Sequence, residues 1–121
     1  MIVTIGNRSI LALNEGEFTN ELGIINDPVE ISISGHGTTS IIALLNSQSS
    51  FLTYFRFQDE DHGFHSFDLK RDPNIEEEFT LKNGQVDIYP LHYLRSREEG
   101  IEALKFYFKT GQMTPDVDWI S

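Results

Sequence analysis

Val29-Glu30-Ile31-Ser32-Ile33-Ser34 alternates apolar and polar residues without a break, the period of a β-strand with one buried face and one wet face. Such a strand needs neighbours along its edges to pair its backbone groups. The flanking segments supply them. Thr39-Ser40-Ile41-Ile42-Ala43-Leu44-Leu45 has no diagnostic period of its own, but the polar turn Asn46 to Ser50 joins it to Phe51-Leu52-Thr53-Tyr54-Phe55-Arg56-Phe57, which is aromatic and β-prone. Both read as strands of a hairpin. Upstream, Ile2-Val3-Thr4-Ile5 and Ser9-Ile10-Leu11-Ala12-Leu13 flank Gly6-Asn7-Arg8 at hairpin spacing. Asn14 to Pro28 is less regular, with room for a short turn of helix. Downstream, Gly63 to Leu69 predicts a short strand with Phe64 and Phe67 directed inward. Glu78-Phe79-Thr80-Leu81 and Val86-Asp87-Ile88-Tyr89 flank Lys82-Asn83-Gly84-Gln85, whose Asn-Gly pair favours a tight positive-φ turn.

After Pro90 and an extended linker, Leu91 to Arg95, the pattern turns helical. Ser96 and Glu99 form the reciprocal capping box that starts a helix, predicted from Arg97 to about Thr110. Gly111 suits the left-handed residue that ends one, and Pro115 follows where helix is no longer wanted. Ile101, Leu104 and Phe108 share one face, while Glu98, Glu102, Lys105 and Lys109 can face water. Trp119, Phe108 and Ile101 are assigned to the core. The expected fold is α+β: residues 1–121 as a single domain, an antiparallel sheet of roughly six to eight strands packed by a C-terminal helix.

Composition narrows the function. A chain of 121 residues suits one domain, and 39% hydrophobic residues with nine Phe supply one compact core. No apolar run approaches the roughly 20 residues that span a bilayer, and the N-terminus lacks a signal peptide's basic flank, so no membrane partner and a cytoplasmic location are expected. The absence of cysteine removes disulfides, thiolate catalysis and Cys-based metal sites. A net charge of −10, from 19 acidic and 9 basic residues, repels phosphate backbones and attracts a basic protein. Direct nucleic-acid binding is therefore not expected.

Several segments invite a catalytic reading. Gly35-His36-Gly37-Thr38-Thr39 follows a strand but lacks the Lys and the glycine spacing of a phosphate loop, and reads as a turn. Asp59-Glu60-Asp61-His62-Gly63-Phe64-His65 is the densest set of metal-capable side chains. Its spacing matches neither an EF-hand nor the helical zinc motif, and it reads as a solvated acidic loop. Asp72 to Glu78 is a second acidic stretch, read as a wet loop entering a strand. His36 and His92 have no local nucleophile, and no strained serine elbow occurs. Paired carboxylates for glycosidic chemistry stay open, because sequence shows no separations. A small acidic hydrolase or metal enzyme using Asp59, Asp61, His62 and His65, or a regulatory module, is the alternative to a non-enzymatic binding protein without cofactor or metal.

Ile88-Tyr89-Pro90, the helix carrying Glu102-Ala103-Leu104-Lys105-Phe106-Tyr107-Phe108, then Lys109-Thr110-Gly111-Gln112 and Pro115-Asp116-Val117-Asp118-Trp119 resemble, in order and spacing, the ending of immunity protein family 1 of bacterial polymorphic-toxin and contact-dependent-inhibition systems. The resemblance covers about the last 35 residues of the chain. It implies a non-catalytic inhibitor bound to the C-terminal domain of its own cell's toxin. Many such partners are nucleic-acid deaminases, whose polyanionic substrate demands a basic channel. An acidic protein can occupy that channel. Charge and loop position, rather than the resemblance, place the occluding surface on Asp59, Glu60 and Asp61, assisted by Glu76, Glu77 and Glu78, with Phe64 as a buried anchor. The interface expected of such a pair buries about 1,600 Å² or more.

Overall fold

In a computed structural model that describes residues 1–11, 14–59 and 62–121, the alternating segment lies in the interior of an antiparallel sheet. In chain order the elements are β1 (Ile2–Ile5), β2 (Arg8–Leu11), α1 (Glu15–Gly23), β3 (Val29–His36), β4 (Thr39–Leu45) and β5 (Ser49–Phe55). Then come β6 (Phe64–Phe67), β7 (Glu76–Thr80), β8 (Val86–Pro90), a single 3-10 turn (Leu91–Tyr93), β9 (Arg95–Ser96), α2 (Arg97–Thr110) and β10 (Asp118–Ile120). The main sheet runs β10-β6-β5-β4-β3-β1-β2, with β9 paired to the start of β5, while β7 and β8 form a separate hairpin. This is the expected α+β architecture of an antiparallel sheet packed by a late helix.

Strand alternation sorts side chains onto two faces. On one face Val3, Ile5, Ile31, Ile33, Ile41, Ala43, Leu45, Leu52 and Tyr54 are buried beneath α1 and α2, together with Phe18, Leu104, Tyr107 and Phe108. The two helices meet through the stacked rings of Phe18 and Phe108, 4.4 Å apart. On the other face Leu44 and Phe51 are covered by the β7–β8 hairpin and the segment after it, with Phe79 and Leu94 buried at the contact. The hairpin covers only this band.

The α2 boundaries fall where the sequence places them. Ser96 Oγ accepts from the Glu99 amide at 3.1 Å and Glu99 Oε1 accepts from the Ser96 amide at 3.2 Å. Gly111 closes the helix at φ 73°, and its backbone sits so close to His36 that a side chain there would meet the imidazole ring. His36 is thus not isolated: its Nε2 lies 3.2 Å from the Phe108 carbonyl oxygen, beside Tyr107. The glycine-rich segment around it is the β3–β4 turn.

Three local readings change. Asn14 to Pro28 holds a nine-residue helix, because Asn14 and Glu17 make a second complete capping box. Glu76 and Glu77 belong to β7 and are not part of a wet loop. Phe64 and Phe67 stand three residues apart in one strand and so point to opposite faces. Phe64 packs toward the helix-covered core, and Phe67 meets His92 and Tyr93 on the other side. Trp119 packs against the main core as assigned, and it does so from a strand, β10, that extends the sheet edge.

Gly100 lies one turn into α2 against Ser50, and a Cβ at this position would overlap the Ser50 Cβ and Oγ. On helix propensity alone Gly100→Ala stabilises by up to about 1 kcal/mol. The overlap reverses that sign: Gly100→Ala is expected to lower unfolding stability by about 1–3 kcal/mol in urea titration, with partial recovery in Gly100→Ala/Ser50→Gly.

Candidate functional site

The band of sheet beneath the hairpin carries a chain of stacked rings. Phe51 of β5 stacks on Tyr89 of β8 at 4.1 Å and on His65 of β6 at 5.3 Å. With Tyr93, Ile120 and Ser121 these three side chains line a hollow of about 300 Å³. The slot draws its walls from four elements that sequence separates: β5, β6, the β8 segment through the 3-10 turn, and β10. An aromatic slot of this size suits one side chain of a partner, where rings give large contact area at small entropy cost.

Its polar groups are held. His65 Nδ1 is 3.1 Å from Thr53 Oγ1, and burial, followed by the nearby His62, lowers the His65 pKa. Tyr89 donates to Asp87 Oδ2 at 3.0 Å, and burial together with that carboxylate pushes the phenol up to about 12. Tyr89 therefore remains a neutral donor throughout the physiological range. On the hairpin the inward side carries Glu77, Phe79, Asp87 and Tyr89, and the outward side Glu76, Glu78, Val86 and Ile88.

The residues assigned from sequence do not gather in one place. Asp59 is exposed in the turn after β5, whereas Glu60 and Asp61 lie outside the described residues. Phe64 is half-buried on the helix-covered side, with the Arg56 guanidinium 5.0 Å over its ring. Glu76 and Glu78 are exposed on the hairpin, while Glu77 turns inward and accepts from Asn46 Nδ2 at 2.9 Å. Of the alternative metal set, His65 is tied to Thr53, His62 is exposed, and Asp61 is outside the described residues. Among the described residues no three His, Asp or Glu side chains converge as a metal site.

A second hollow, about 230 Å³, lies between α2 and the segment leading to β10, rimmed by Glu98, Glu99, Glu102 and Asp116 over Ala103 and Val117. Burial opposes ionisation of Glu99, but hydrogen bonds from Arg95 and the Ser96 amide, with the Arg95 charge, prevail and lower its pKa. No helix among the described residues is long and apolar enough to cross a membrane. Neither the models of known protein families nor the characterised proteins compared with the chain match it.

Because His65 holds its neutral form more strongly folded than unfolded, the unfolded chain binds the extra proton as pH drops below its ordinary value near 6.5. Stability from this group is full above that pH and declines as pH falls through 6.5 toward the lowered folded value. The slope of urea midpoint against pH between about 7 and 5.5 is expected to flatten in His65→Gln.

Proposed function

We propose that this chain is an immunity protein that binds and neutralises a cognate bacterial toxin domain in the cytoplasm of the producing cell. The partner is a basic, nucleic-acid-targeting enzyme such as a deaminase. Inhibition is steric and electrostatic: an acidic surface covers the basic substrate channel and keeps the polyanion out. No catalytic step by the chain itself is required.

One coincidence carries this reading. A net charge of −10 accompanies a hairpin that holds Glu76 and Glu78 out to solvent while its Tyr89 lines an aromatic slot. Acidic groups speed encounter with a cationic partner, and a ring-lined recess slows departure by burying an anchor. The order of the C-terminal helix, Gly111, Pro115 and Trp119 adds the family likeness.

Co-expression with the toxin domain encoded beside this gene is expected to restore growth, and the two proteins should co-purify. Equal killing with and without the chain would end the proposal. Glu76→Lys/Glu78→Lys is expected to slow association about tenfold at low ionic strength and to weaken its salt dependence, as read by stopped-flow mixing.

A further inference from the structure

The face of the sheet opposite the helices is covered in one band and open in the rest. Register places Thr4 between Ser9 and Ser32, and Ser32 in turn opposite Ile42. One pleat away, Ile2 lies between Leu11 and Ser34, and Ser34 opposes Ser40. These two rows cross four strands, β2, β1, β3 and β4, on the side where the helices do not pack. Ser9, Ile2 and Leu11 are exposed, and Thr4, Ser32, Ser34, Ser40 and Ile42 are half-buried.

None of the side chains in these rows carries a charge, although 23% of the chain is Asp, Glu, Lys or Arg. Arg8, in the same hairpin, pairs with Glu21 of α1 and so lies on the helix side, while the Met1 amino group lies beside Gly35 at the end of the Ile2 row. At the boundary with the covered band stands Glu30, which precedes Ser32 by two residues on the same face and accepts from the Lys82 amide at 3.2 Å. A solvated sheet face ordinarily alternates into charged and long polar residues. Here short hydroxyls with Ile2, Leu11 and Ile42 leave a floor without charge on an otherwise acidic molecule, and depletion of charge is what marks the centre of an interface.

We infer that this open face, from β2 to β4, is the docking surface of the chain and that its occupant is a basic protein surface. The inference rests on the function proposed above and names the surface that carries it. Charge selects the occupant: a second copy brings another −10 to the contact, whereas a cationic domain is attracted by Glu30 and by the acidic hairpin next to it. Small side chains let the partner approach the sheet closely, and their hydroxyls can exchange water for partner groups at little entropy cost. The aromatic slot lies on this same side of the sheet, where Phe51 and His65 point, so one partner can span both.

The test uses the catalytically inactivated toxin domain of the neighbouring gene as probe and measures its affinity by calorimetry. Ser32→Arg places a cation in the centre of the floor and should weaken binding about hundredfold. Ser9→Arg, at the exposed edge where folding is least disturbed, should weaken it about tenfold. Asn20→Arg adds the same charge on the solvent side of α1 and should change affinity less than about threefold. Circular dichroism and urea midpoints establish that each variant is folded. If the wild-type chain binds and Ser32→Arg and Ser9→Arg bind equally well, the docking surface is elsewhere and the proposed function stands. Loss confined to Glu98→Lys/Glu102→Lys would move the interface to the acidic hollow beside α2. A wild-type dimer in sedimentation equilibrium that Ser32→Arg dissolves would make a second copy the occupant. If the wild-type chain itself does not bind, the functional reading falls together with the inference.

Discussion

The close approach of α2 to the start of β5 is the constraint on which the rest of the molecule depends. Ser49 and Ser50 pair with Ser96 and Arg95 as strand partners, and the helix begins at the next residue. Ser50 Oγ donates to the Ser96 carbonyl at 2.9 Å, and the Arg97 amide donates to the Gln48 carbonyl at 3.1 Å. Gly100 then leaves room for Ser50 beneath the first turn. With its start pinned, the helix has one direction across the sheet. Its far end is secured where Tyr54 donates to the Gly111 carbonyl and the Tyr107 and Thr39 hydroxyls meet at 2.8 Å.

That arrangement commits both helices to one side of a single sheet. The opposite side must be closed by something else or left to solvent. The β7–β8 hairpin closes the Leu44 and Phe51 band because Phe79 and Leu94 need burial as much as those two do. Two strands cannot cover the breadth of a sheet of this size. The remaining Ser, Thr and Ile floor is the direct geometric consequence, and it meets the hairpin turn where Glu30 accepts from the Lys82 amide. Helix packing, hairpin position and the open face are therefore one structural fact with three aspects.

Much of this was legible in the residues. The strict alternation of Val29 to Ser34 and the Asn83-Gly84 turn located strands, and the Ser96/Glu99 box with Gly111 located the ends of α2. The equivalent Asn14/Glu17 box was present too, but α1 is short and half polar, so its period was hidden until Phe18 and Leu22 found the core. The acidic run at Glu76 to Glu78 looked uniformly wet. Only pairing with β8 divides it, turning Glu77 toward Asn46 and leaving its neighbours outside. The slot was not visible in sequence, since Phe51, His65 and the Tyr89–Tyr93 segment lie far apart along the chain and aromatic content carries no address.

The sequence by itself determined the α+β class, the strand periods, the helix ends and the acidic balance, because each follows from local sterics, capping or charge. Tertiary structure alone decided which face of the sheet each side chain occupies relative to the helices and the hairpin. It thereby decided that Phe64 is half-buried against the helix-covered core, that His65 joins an aromatic stack, and that the hydroxyl rows of β1 to β4 stay open. The reason is physical: a period-2 pattern marks two faces without saying what covers either, and coverage is set by long-range packing between elements.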